Sequence, residues 1–293
     1  MNTVQATAYG AKLILALLFG VPPKIDAKST MNERLDIEPN ARPTATEPVR
    51  LSILTAGIKG HIQTTGVEGI PLISPANHLA TDASLFGPMP FCMRPTDDDL
   101  VKEERDRYCL RKEVKIGTAN YYAYFGLRVN IDPDVIDPEM ILVTTENGNT
   151  IEEPFVPDTE NLYPTPITLP TAGAVTTTDQ KIVIKQLLNV PLTKLDIAEY
   201  VNCAKIMYGG DERYAVWSEF ALNTGANRVV QVQSSQGPVN FNESIGTQPY
   251  AFAADYKAVY FNDQDMDITF DVGNQVPLLG VQSIPTLQTI PTP

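Results

Sequence analysis

Histidine is nearly missing from this chain. There are two in 293 residues, His61 and His78. Neither has a partner at metal-ligand spacing, so both read as surface or hydrogen-bonded residues. Cysteine is scarce as well. Cys92, Cys109 and Cys203 are odd in number and widely spaced. They form no CxxC and read as free, buried thiols of a reducing compartment. No GxGxxG, Walker A, HExxH or GxSxG motif occurs, which leaves Ser/His or Cys/His catalysis little to work with. The expectation is a protein that is not an enzyme and has no cofactor and no metal. Cations are outnumbered: 22 Lys and Arg stand against 35 Asp and Glu, for a net charge of -13. Direct nucleic-acid binding is not expected, because phosphate contacts need Lys and Arg. A ring with an acidic lumen that repels DNA stays compatible with this charge. Long apolar runs are missing too. Leu13 to Phe19 is the most hydrophobic run, far short of the roughly 20 residues of a membrane span, so no membrane partner is expected. Only Lys12 precedes that run, and Pro22-Pro23-Lys24 follows in place of a small-x-small cleavage site. The run reads as a short helix or strand docking on the body or on a neighbouring subunit, stopped by Gly20 and Pro22-Pro23.

What is present is β patterning. Residues 1–48 read as an N-terminal arm and connector, 49–275 as a β-rich body, and 276–293 as a C-terminal arm. Lys24 to Pro48 is rich in Pro, Thr, Glu and Asn and reads as an ordered clasping arm or a plain linker. Arg50 to Ala56 is a strand closed by Gly57. Tyr108 to Ile116 alternates and turns through Gly117–Asn120 into the aromatic strand from Tyr121, an outer strand beside an inner one. Met140 to Thr145 is a strand, and Asn147-Gly148 is a hairpin turn. Asp179 to Asn189 is a buried strand. Pro191 to Tyr208 is the best helix in the body, capped by Thr193, with its stripe through Leu195, Ala198, Val201 (or Asn202) and Lys205-Ile206, broadened by Ile197, Val201 and Tyr208, and ended by Gly209-Gly210. In Arg213 to Gln233, Tyr214, Val216, Phe220 and Leu222 share one side. Asn223–Asn227 reads as a five-residue hairpin loop before Val230 and Val232. Trp217, the only tryptophan, falls opposite Phe220, on a face covered in a sandwich or at a subunit contact. Phe241 to Phe270 adds strands, Tyr256 to Phe261 the most regular. The fold class is therefore mainly β: a β-sandwich or barrel-like body with one short helix and extended N- and C-terminal arms.

Several stretches invite a chemical reading. Thr96–Arg107 reads as a solvated helix start capped by Thr96, ahead of a metal cluster. Asp263, Asp265 and Asp267 have calcium-loop spacing, but Ile268 and Asn274 stand where an EF-hand needs Gly and Glu. Tyr121, Tyr122 and Tyr124 read as core packing, with a glycan-stacking stripe as the alternative. The five prolines between Pro154 and Pro170 make a stiff projecting loop. Val276–Pro293 carries no charge and is best explained by docking along another subunit. The expected contact residues are Leu13, Ile14, Leu17 and Phe19 of the first run, Pro164 and Pro166 of the loop, Trp217, and Leu278, Leu279, Ile284 and Leu287 of the tail.

The segment Trp217-Ser218-Glu219-Phe220-Ala221-Leu222-Asn223-Thr224-Gly225 resembles the SE-apolar-apolar-L-x-x-G strand-turn of several virion structural proteins of tailed bacteriophages. The arms, the Pro- and Thr-rich β body and the acidic charge are similar in style, although the N-terminal arm is longer than in many neck and tail-tube proteins. The resemblance implies a non-catalytic, ring-forming homo-oligomer at the head–tail neck, connector or tail, assembled in the host cytoplasm and located in the virion. Its partners would be copies of itself and the portal, connector, tail or capsid proteins. A capsid decoration or baseplate protein is a variant of this reading. A carbohydrate- or receptor-binding β-sandwich module is the alternative.

Overall fold

The computed structural model describes residues 3–25, 27–37, 50–57, 63–64, 71–72, 75–157, 160, 163, 178–262 and 264–278. The elements follow in chain order. Strand β1 (Thr3–Ala6) leads into helix α1 (Ala8–Leu18), and a short helix α2 (Met31–Arg34) follows. Next come β2 (Arg50–Gly57), β3 (Gln63–Thr64), β4 (Pro71–Leu72), β5 (Pro88–Met89), β6 (Cys92–Pro95) and the single turn α3 (Lys102–Arg105). The hairpin β7 (Tyr108–Ile116) and β8 (Ala119–Arg128) precedes the hairpin β9 (Glu139–Glu146) and β10 (Asn149–Pro154). Strand β11 (Thr178–Leu192), helix α4 (Lys194–Met207), and strands β12 (Val216–Ser234), β13 (Gly237–Ala258) and β14 (Met266–Pro277) complete the order. The fold is mainly β, with antiparallel sheets and a sandwich-like body.

The chain forms two compact units. The first holds residues 1–131 and 188–270, the second residues 132–187 and 271–293. In the first, an eight-stranded sheet runs β1-β13-β12-β2-β8-β6, with β5 on β2 and β7 on β8. Its core includes Met31, Ile53, Leu110, Phe125, Cys203 and Phe252. In the second, the order is β10-β9-β11-β14. Asn147 and Gly148 both adopt positive φ, 51° and 84°, the type I′ geometry that joins β9 to β10 as the Asn-Gly pair requires.

Over its described part the N-terminal arm is partly packed on the body. Ile25, Met31, Leu35 and Ile37 are buried. Asn32 donates to Ser244 O at 2.9 Å and accepts from Thr247 N at 3.1 Å, holding α2 on β13. Helix α4 has the expected Thr193 cap, in a reciprocal capping box with Asp196. Its buried stripe, however, is Ile197, Tyr200, Cys203 and Ala204, while Leu195 is exposed. Pro191 stays in β11 rather than opening the helix. Thr96 caps nothing: α3 starts at Lys102. Asp99 has gone instead to Arg111 (2.9 Å) and the Tyr124 hydroxyl (2.5 Å). Tyr256–Phe261 is not a regular strand, since β13 ends at Ala258.

The largest departure is in β12. No turn occurs at Asn223–Asn227; the strand runs straight through to Ser234 and turns at Ser235-Gln236. Register shifts against β13 fall between Leu222 and Asn223 and between Thr224 and Ala226. The polar cluster serves these bulges. The Asn223 amide donates to Ile53 O, Thr55 Oγ1 and Ala221 O, satisfying inside the sheet the groups that a bulge frees. Gly225 is required by close approach, because a Cβ there would lie 2.1 Å from Ser244 Oγ. A further shift between Trp217 and Glu219 brings Trp217 and Phe220 to one side. Their rings meet edge-on at 5.6 Å, with Tyr200 against Trp217 at 5.1 Å. Gly225→Ala is expected to lower stability by about 1–3 kcal/mol through overpacking, read as a lower urea midpoint at unchanged m-value.

Candidate functional site

The site with the most construction behind it is the mount of α1. Thr7 caps the helix: its Oγ1 accepts from Gly10 N at 3.0 Å and donates to Pro249 O at 2.6 Å, while its N–H donates to Tyr250 O at 3.0 Å. β1 pairs with β13 from Thr3↔Ala254 to Ala6↔Ala251, so the helix leaves directly from a sheet strand. Gly10 lets it lie close, since a Cβ there would meet Tyr250 Cδ2 at 2.7 Å. Leu13 closes the contact against Ala226 and Ile245. A loop grips the helix start from another direction: Ala8 N donates to Ala80 O at 2.8 Å and Tyr9 Oη to Thr81 O at 3.3 Å.

That loop is itself fixed by a buried polar network. His78 is stacked between Phe86 and Phe252, with ring centroids 4.0 Å and 3.9 Å away. Its Nε2 lies 2.8 Å from Glu219 Oε2 and its Nδ1 3.0 Å from Asp82 Oδ2. Each contact needs a hydrogen, and an ionised carboxylate has none to give. Glu219, fully buried, also accepts from Phe86 N at 3.0 Å and Gly87 N at 2.8 Å. Asp82 accepts from Leu79 N at 2.9 Å. The imidazole has carboxylates on both nitrogens and aromatic rings on both faces, so it positions the loop and has no room for a substrate.

With its inner side committed, α1 turns an apolar face outward. Leu18 and Phe19 are 76% and 79% exposed, and Ile14, Leu15, Leu17 and Val21 are exposed beside them. Six exposed apolar side chains thus stand within residues 14–21. Of the expected contact residues, Ile14, Leu17 and Phe19 are here, and Leu278 is exposed at the end of β14. Leu13 is corrected to an internal anchor, and Trp217 to core, at 0% exposure. Pro164, Pro166, Leu279, Ile284 and Leu287 lie outside the described residues, as do His61 and Asp263. Leu15 and Leu18, members of the same apolar run, join Ile14, Leu17 and Phe19 on the exposed face. The i, i+4 pair Ile14–Leu18 and the unbroken run from Leu13 were the available signal.

Other polar clusters serve structure. Arg94 clamps Glu199 through two hydrogen bonds, 2.5 and 2.6 Å, tying β6 to α4. Burial pushes the Glu199 carboxyl up, but the bonds and charge of Arg94 outweigh it and hold it below its usual value. Arg111 stacks 3.6 Å over the Tyr122 ring and pairs with Asp99. Asp265 accepts from Lys194 N at 2.7 Å at the start of α4. Among the described residues no group of three or more His, Cys, Asp or Glu could hold a metal. No described helix is long and apolar enough to cross a membrane. The three cysteines are free and buried.

The chain belongs to a family of unknown function (DUF7208), whose model matches residues 1–286. No curated protein and no solved structure matches it.

Two measurements test this architecture. His78→Ala leaves Glu219 without its counterpart. It is expected to cost about 3–5 kcal/mol and to speed hydrogen exchange at Ala8 and Gly10 more than at the centre of β12. The thiols give a pH test. Burial pushes Cys92 and Cys109 from 9.0 up to about 12. The unfolded chain therefore loses these protons first, and stability is fully present below pH 9 and is lost as pH rises towards 12. Urea midpoints across that range check it, with Cys109→Ala flattening the decline.

Proposed function

We propose that this protein is a non-enzymatic structural subunit of a tailed-bacteriophage virion that assembles as a homo-oligomeric ring at the head–tail neck, connector or tail. One observation carries the assembly part. Helix α1 is held by a cap, a sheet strand, a close glycine contact and a gripping loop, yet its outer face is apolar and uncovered. A helix fixed this firmly with that face outward is organised for contact. The virion setting comes from the resemblance of Trp217–Gly225, and with it come the portal, connector, tail or capsid proteins as partners. A decoration or baseplate subunit would use the same surface. The glycan-binding alternative loses its stacking surface, because Tyr122 and Tyr124 are buried and Tyr124 is bonded to Asp99.

Negative-stain electron microscopy with light scattering on the full-length chain tests the reading. Closed rings, or particles of about six to twelve copies, are expected. Leu18→Asp with Phe19→Asp is expected to leave the circular dichroism spectrum and Tm unchanged and to reduce the particle to monomer. A wild-type chain that stays monomeric at all concentrations counts against the proposal.

A further inference from the structure

The outer face of α1 is unusual in charge as well as in hydropathy. The chain carries a net charge of -13, yet no acidic residue precedes Asp26. The cations beside the patch are Lys12 and Lys24, both exposed. They flank a small hollow, lined also by Leu13, Ala16 and Pro23, where the chain after the helix folds back along it. The surface is thus an apolar knob edged by two ammonium groups.

The second unit carries its counterpart. A cleft of about 480 Å³ lies against the β9–β10 hairpin, lined by Glu139, Met140, Ile141, Glu152, Glu153 and Pro154. Pairing sets Glu153 opposite Leu142 and Pro154 opposite Ile141, and β10 is exposed along its whole length. The cleft lining therefore mixes three apolar residues, Met140, Ile141 and Pro154, with three carboxylates. Its volume falls within the roughly 300–1,000 Å³ of clefts that enclose compact apolar groups.

We propose that α1 of one copy seats in the β9–β10 cleft of a second copy, Leu18 and Phe19 against its apolar residues and Lys12 and Lys24 against Glu139, Glu152 and Glu153. The proposal rests on the homo-oligomer reading above and names the receiving surface. A symmetric contact between two α1 faces would offer Lys12 and Lys24 no carboxylate, since no acidic residue precedes Asp26. Two lysines are also fewer than the roughly four to eight cations of a cluster that binds anionic lipid. Knob and cleft are different surfaces, so the contact is heterologous and repeats head to tail. It closes into a ring when the rotation closes. The charged edge should speed encounter and make assembly weaken with salt.

The test is complementation between two full-length variants. The first, Leu18→Asp with Phe19→Asp, lacks the knob. The second, Glu152→Lys with Glu153→Lys, lacks the cleft charge. All four positions are exposed, and circular dichroism melts verify folding. Each variant alone is expected to be monomeric by light scattering. Their equimolar mixture is expected to stop at a one-to-one dimer, because one intact knob and one intact cleft remain. Adding Lys12→Glu and Lys24→Glu to the cleft variant reverses both sides and is expected to restore self-assembly. If the cleft variant assembles like wild type while the knob variant does not, the β9–β10 cleft is not the receiver, although assembly through α1 stands. A mixture that stays monomeric also overturns the pairing. Binding of wild type to phosphatidylglycerol vesicles that is lost in the knob variant alone reassigns α1 to a lipid surface. A wild-type monomer overturns both this inference and the ring.

Discussion

A carboxylate buried in the middle of a sheet costs several kcal/mol unless its oxygens are met. In this chain that carboxylate is Glu219, on the central strand β12, and much of the first unit is arranged to meet it. Two of its donors are the consecutive backbone amides of Phe86 and Gly87, so the loop before β5 must curl over the strand. The ring of His78 meets the same carboxyl group at 2.8 Å and fixes the loop a second time, eight residues earlier. Phe86 and Phe252 close over the ring faces and keep water from competing for the bonds. The same residues give a short irregular segment a defined path across a sheet.

The benefit of that path is felt at the helix. Residues 80 and 81 supply the carbonyls that receive Ala8 and Tyr9, so the orientation of α1 depends on a carboxylate that it never touches. An amphipathic helix tied only by its own apolar side would be free to roll and cover its exposed leucines. Here the cap, the β1–β13 ladder and the loop together prevent rolling. The apolar face stays outward, exposed to solvent.

The strands were legible wherever alternation was local. The β7–β8 and β9–β10 hairpins carry their turns in plain sight, and the α4 cap could be read from Thr193 and its distance to the glycine pair. The internal logic of β12 could not be read. Asn, Thr and Gly favour turns because their side chains replace backbone partners, and a bulge makes the same demand. Only the positions of Ile53, Thr55 and Ser244, each far off in sequence, decide between them. The stripe of α4 was legible only at Ile197, because Tyr200 answers to the distant rings of Phe91 and Trp217. Of the contact surface, the sequence run from Leu13 to Phe19 located the helix. Which side faces inward depended on Gly10 and Leu13 meeting Tyr250, Ala226 and Ile245, contacts with residues more than two hundred positions away.

The bulges in β12 have one more consequence. A strand has a period of two, so a slip of one residue exchanges its faces. Each bulge makes such a slip once and then locks it. Trp217 and Phe220 share a side because a shift lies between them, and the shifts around Asn223 and Gly225 set the phase of everything downstream to Ser234. Length in this segment is therefore quantised. Substitutions in the outer half of the hairpin change single side chains, whereas a one-residue insertion or deletion between Leu222 and Ala226 would turn the rest of the strand inside out. Variation in this family should accordingly accumulate as replacements beyond Asn227 and avoid changes of length before it.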